Sequence, residues 1–210
     1  MNIGSFAITW ATVPLALAMA GYFMVAVGVK EFRISARVTY WILLGLAALA
    51  FIDLFQLFIN DKFQFSYVAS YSSKDLANTW PHFYKFSALW AGQQGTFLLW
   101  LIFGLILGLW VRRKAKDDEG WVMFFYLLSQ VFLLILTLVS NPFARLDFVP
   151  QDGQGLNPLL QNYWMQIHPP IVFLGFAAAC IPFAFAMAAK MTRCWRWIRS
   201  RSSLLKRTRA

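Results

Sequence analysis

The run Phe97–Lys116 reads FLLWLIFGLILGLWVRRKAK: fifteen residues without a charge or a hydrogen-bonding chain other than two Trp, then four basic residues in the next five positions. An amphipathic helix of a soluble protein keeps a polar stripe along its length, and none exists here. At about 1.5 Å per residue the uncharged part covers ~22 Å, short of a bilayer core of about 30 Å. The helix is therefore expected to start upstream, near Ala88. Four more apolar runs flank it: Phe6–Val29, Val38–Ile59, Trp121–Ser140 and Pro170–Ala189. With 60% hydrophobic and only 13% charged residues, no soluble core could hide this much apolar surface. The expected fold is an all-α polytopic membrane protein of about five transmembrane helices. Spans are placed near 6–29, 38–59, 88–111, 121–140 and 170–189, within a membrane domain 1–189 followed by a basic tail 190–210. No Lys or Arg precedes the first run, so it reads as a retained helix rather than a signal peptide.

The charges give an orientation. If the connections around Lys30–Arg37 and Arg112–Lys116 share a side with the tail, that side carries fifteen of the nineteen basic residues. Such a bias places them in the cytoplasm and the N-terminus outside. The net charge of +10 then reflects topology and affinity for anionic lipid, not a nucleic-acid surface. In the tail, Trp195 and Trp197 are expected at the headgroups. Cys180, in the fifth run, and Cys194, in the tail, face different surroundings, and neither has a neighbour at metal-ligand spacing.

The two connections on the other side are long, roughly 60–87 and 141–169, and rich in aromatics. That composition argues for order, so function is expected there; an interfacial aromatic belt accounts for part of the same pattern. Pro14 and Pro182 are expected to kink their helices without a functional role. Asp53, about 9 Å from the end of its span, is expected to be structural, reaching the interface or pairing with Lys62. There is no Ser/His/Asp set, paired carboxylate, phosphate loop or HExxH motif. Both histidines, His82 and His168, lie in the long connections. His168 stands before Pro169 and Pro170; the preceding-proline effect is expected to hold it outside the helix that Pro170 begins. An imidazole presented beside Tyr163 and Trp164 meets the needs of an axial haem ligand, although spacing alone permits haem without demanding it.

The run LNPLLQNYWMQIHPPIVFLGFAAACIPFAFAMA at Leu156–Ala188 resembles the CcmF family and its NrfE relatives, within the wider CcmF/CcmC/CcsA haem-handling group. YVASYSSKDL (Tyr67–Leu76), FYKFSALWAGQQGTFLLW (Phe83–Trp100) and SNPFARL (Ser140–Leu146) resemble further segments of that family, in order. The resemblance implies cytochrome c-type biogenesis in a bacterial or mitochondrial inner membrane. There, a haem lyase receives haem from a chaperone of CcmE type and joins its vinyl groups to a Cys-x-x-Cys-His apocytochrome c, presented by CcmH/CcmI-type partners. It implies that His168 is one of two outer axial ligands to the haem iron. Trp164, Tyr163 and Trp90 are then offered as walls, and Arg145 or Lys85 as partners for the propionates. His82 matches no ligand position and is read as a loop residue.

Three departures accompany the resemblance. Gln93 and Gln94 replace a His-Glu pair found in many members, so an acid-base role is lost; the segment either packs a helix entrance or faces haem. The tryptophan-rich WWD platform is absent. The second outer histidine and two intramembrane histidines are absent as well. The chain therefore resembles the N-terminal portion of such a protein, with a separate C-terminal CcmF-like part as an expected partner and no catalytic residue assigned within it. A non-haem-binding scaffold subunit is the alternative; transport has little support from a single intramembrane charge.

Overall fold

The computed structural model describes residues 2–77 and 83–207, with side chains to Arg193 apart from residues 77 and 83. His82 and Trp80 lie outside the described residues, as do the side chains of Cys194, Trp195 and Trp197. Eight α-helices occupy most of the described chain: α1 Ile3–Trp10, α2 Thr12–Val27, α3 Phe32–Ile59, α4 Ser66–Tyr71, α5 Phe83–Ala88, α6 Gln93–Ala115, α7 Glu119–Ser140 and α8 Trp164–Arg207. Among the described residues the only β-type pairing is an isolated antiparallel bridge between Phe65 and Arg145. The protein is all-α, and four helical stretches are long and apolar enough to cross a membrane: Ile3–Val27, Phe32–Ile59, Gln93–Ser140 and Trp164–Arg193. The third is 48 residues long and consists of α6 and α7, folded against one another across a turn where Lys116 adopts φ 48°. The number five rests on reading that stretch as a hairpin.

Local chemistry explains several helix ends. The first stretch is interrupted at Ala11 because Pro14 has no N–H to give the Trp10 carbonyl. Gly28, at φ 114°, ends α2 in the left-handed conformation that side chains resist. The third span does not begin near Ala88: α5 stops there, Gly92 is extended, and α6 starts at Gln93. Its length is recovered at the other end, where Arg112, Arg113 and Lys114 belong to the helix rather than to a loop. Their long stems allow this, with Arg112 lying 5.7 Å over Trp41 and Lys114 5.8 Å over Trp110.

Small residues set the closest approaches, as expected where lipid removes the hydrophobic drive between helices. Gly21 of α2 faces Ala36 of α3, and Gly120 of α7 faces Ala26 of α2. Gly108 of α6 admits Tyr40 and Tyr126, and Gly104 admits Gln130; Tyr126 donates to the Gly104 carbonyl at 2.7 Å and Tyr40 to the Leu105 carbonyl at 2.6 Å. A buried hydroxyl in an apolar bundle must find such an acceptor. At the basic end, Arg37 makes a two-pronged contact with the buried Glu119 (2.8 and 2.6 Å), tying α3 to α7. Asp53 is structural: its carboxylate accepts the Gly4 amide at 3.0 Å, capping α1 instead of pairing with Lys62.

Helix α8 is the least covered of the spans. It packs on α6 and α7 through Ala177, Ala184 and Ala188, one face of its cylinder. The opposite face carries Ile171, Gly175 and Pro182, all exposed.

Candidate functional site

The two long connections form a single layer at one end of the bundle. Backbone pairs join them: Ser66 donates to the Ala144 carbonyl (2.8 Å), Leu146 to Gln64 (2.9 Å), Gln154 to Ala69 (2.7 Å) and Gly155 to Ser72 (3.1 Å). Asp152 accepts the amides of Lys74 and Gly153, and these hydrogen bonds hold its carboxyl below the usual carboxylate range. The aromatics expected to mark function in this layer are partly spent on packing: Phe63, Phe65 and Tyr67 are buried, as is Trp90 beside them.

Tyr67, at the head of the family-like run YVASYSSKDL, organises the WAGQQGT segment, a role that the sequence did not assign it. Its hydroxyl donates to the Leu89 carbonyl (3.0 Å) and accepts the Gly92 amide (3.2 Å), bridging the gap between α5 and α6. Burial pushes the phenol well above its ordinary pKa, so the donor is always present. Gly92 lies against the rings of Tyr67 and Tyr71, where a Cβ would come within 2.8 Å. A Cβ at Gly95 would overlap the Leu89 carbonyl oxygen. The segment is thus a packed helix entrance, with Gln93 exposed beside it.

Lys85 is not available to a propionate. It is 1% exposed, with its ammonium 2.5 Å from Asp61, whose other oxygen accepts the Ser72 hydroxyl at 3.1 Å. A buried ammonium needs such a partner, and the partner occupies it. Arg145 is exposed, its guanidinium 5.4 Å over the Phe65 ring, so it stays free to meet an anion.

His168 is placed differently from expectation. It lies inside α8, in the second turn, rather than outside the helix. Asn162 starts the helix by accepting the Met165 amide on its side chain at 3.0 Å. The preceding-proline bias is a preference and not a prohibition, and here the helix runs through it. Pro169 leaves the Met165 carbonyl without its usual partner, and the Trp90 indole N–H supplies one at 2.9 Å. Trp90 is therefore 4% exposed and edge-on to Phe86, not an open wall.

The remaining ring candidates do stand open. Trp164 is 70% exposed and Tyr163 58%, and the two meet edge to face with centroids 5.5 Å apart. Trp164 and His168 are four residues apart and share one helix face. His168 is exposed, and nine residues (about two and a half turns) separate it from Ala177 in the packed seam. It therefore points away from the bundle. Further along its face, a Cβ added at Gly175 would meet nothing within 4 Å. One imidazole beside one open indole suits a single axial position on a flat macrocycle, and His168 is the one histidine among the described residues.

Comparison with known proteins gives the family. Residues 90–206 match the family model described as Cytochrome C assembly protein. The cytochrome c-type biogenesis protein CcmF of Pseudomonas aeruginosa is 37% identical over 186 residues, covering 82% of this chain and 27% of that protein. CcmF of Escherichia coli is 33% identical over 174 residues, covering 80% and 26%. A solved structure of the cytochrome c heme lyase CcmF superposes with a TM-score of 0.74 at 24% identity, covering 92% of this chain and 31% of that one. The chain thus spans about a quarter of the length of the curated relatives it matches. The family match spans α6 to α8, and so takes in both the buried Trp90 segment and the exposed His168 turn: the chain belongs to the cytochrome c assembly protein family.

Proposed function

We propose that this chain is a haem-binding part of a cytochrome c haem lyase, and that His168 is an axial ligand to the haem being attached. The observation that carries the reading is the exposure of His168 beside Trp164 on the uncovered face of α8, the least covered of the spans, in a chain of this family. Haem is the substrate. His168 holds the iron through a ring nitrogen, Trp164 and Tyr163 flank the macrocycle, and Arg145 is the cation that can reach a propionate. Two vinyl groups are then set against the two thiols of an apocytochrome c. Positioning supplies the rate advantage, and a second axial ligand comes from a C-terminal CcmF-like part.

The basic bias puts the layer of long connections outside the inner membrane, with the N-terminus outside, five crossings and the tail in the cytoplasm. Haem arrives from a chaperone of CcmE type, and CcmH/CcmI-type proteins present the apocytochrome. The burial of Phe63, Phe65, Tyr67 and Trp90 favours the competing reading, a scaffold subunit that binds no haem.

The test is His168→Ala in the chain co-expressed with the chaperone and the C-terminal CcmF-like part. A ligand role predicts loss of the haem absorption signal and of holocytochrome, with normal assembly of the complex. A scaffold leaves both unchanged.

A further inference from the structure

We propose that Trp90 is a positioning residue for His168: its indole N–H replaces the backbone hydrogen bond that Pro169 removes, and so fixes the turn that presents the imidazole. The inference rests on the reading of His168 as a haem ligand, and its structural half can be measured apart from that reading.

In an α-helix the carbonyl of residue 165 accepts the amide of residue 169. Pro169 has no amide hydrogen, so a helix that continues through it leaves the Met165 carbonyl orphaned, three residues before His168. Met165 is only half-buried, and water could serve it, but water would not orient it. Trp90 does, with a hydrogen bond of 2.9 Å from a ring that is itself held. The Trp90 amide donates to the Ser87 carbonyl (3.2 Å), its carbonyl accepts the Thr96 hydroxyl (3.1 Å), and its ring stands at 85° to Phe86 with centroids 4.7 Å apart. A second tie lies just upstream, where the Tyr84 hydroxyl donates to the Gln161 carbonyl at 3.3 Å.

The start of α8 is thus hung on the α5–α6 junction, where Leu89, Trp90, Gly92 and Gly95 are buried. Trp90 does not touch the imidazole. It decides which way the turn carrying Trp164 and His168 faces. An axial ligand is sensitive to such orientation, because small displacements of a reacting group cost large factors in rate. Two consecutive prolines without Trp90 would leave the turn free to unwind.

The experiment uses the assembled complex and the variant Trp90→Phe, which keeps an aromatic ring and deletes the N–H. Holocytochrome formation should fall about fivefold, the order expected from one lost hydrogen bond to a half-buried acceptor, while complex yield stays normal. Amide hydrogen exchange across Trp164–His168 should accelerate by a similar factor. Pro169→Ala restores a backbone donor to the Met165 carbonyl, so the double variant Trp90→Phe/Pro169→Ala should regain slow exchange and most of the activity. In a His168→Gly background supplied with free imidazole, Trp90→Phe should cost much less, because the ligand no longer hangs on the turn and only the flanking Trp164 does. Unchanged exchange in Trp90→Phe, or failure of Pro169→Ala to restore it, overturns the proposal. A full Trp90→Phe effect in the imidazole-supplied background also overturns it and makes Trp90 a general packing residue. If exchange behaves as described but His168→Ala leaves haem loading intact, the hydrogen-bond relay stands and the ligand reading falls.

Discussion

Residues 90–96 and 164–170 look alike in composition and are opposites in the structure. Each carries a tryptophan, each contains the residues that break helical regularity (two glycines in one, two prolines in the other), and each sits at the loop end of a long apolar helix. Yet Trp90 is closed off on every side, while Trp164 is 70% exposed. The glycines of the first segment exist for close approach, to Tyr67, Tyr71 and the Leu89 carbonyl. In the second, the prolines interrupt a backbone ladder at a place where a neighbour can repair it. The lesson is that an aromatic cluster beside a membrane is a binding surface only where nothing else has already claimed the rings.

The contrast can be broken most severely at Gly95. Gly95→Ala should destabilise the chain by about 3 kcal/mol, since its Cβ overlaps backbone that cannot rotate aside. A large drop in melting temperature in detergent is the expected reading; a normal melt would mean that the entrance is not packed. A smaller loss follows from Lys85→Met, about 2 kcal/mol, because the Asp61 carboxylate is left with the Ser72 hydroxyl alone. Adding Asp61→Asn should recover most of the stability. In the assembled complex the double variant should leave the haem spectrum as it was; a changed spectrum would return Lys85 to the propionates. Gly175→Ala is the smallest change, within about 0.5 kcal/mol in the isolated chain, because its Cβ enters open space. If the same substitution lowers haem loading in the complex, something sits against that face below His168.

The apolar runs were legible with little ambiguity: Trp121–Ser140 falls within α7, Glu119–Ser140, and Val38–Ile59 within α3, Phe32–Ile59. Their ends were not, and for one reason. Hydropathy reports where the solvent changes, whereas a helix ends where its hydrogen-bond ladder does. Hence Arg33 and Arg37 lie inside α3, Arg112–Lys114 inside α6, and α8 continues past Lys190 as helix to Arg207. The site was half legible. His168, Trp164 and Tyr163 could be picked out from their place before two prolines, and they are exposed together. Trp90 and Lys85 could not be sorted, because their fates depend on Met165 and Asp61, 75 and 24 positions away.

From sequence alone come the all-α membrane class, the family and the histidine at issue, since these follow from the composition of runs and from local motifs. Only the tertiary structure decided that His168 stands within a helix and that Trp90 faces inward and donates to the Met165 carbonyl. The partner that makes both possible is a carbonyl left free by a proline, and a backbone atom carries no mark in a sequence of side chains.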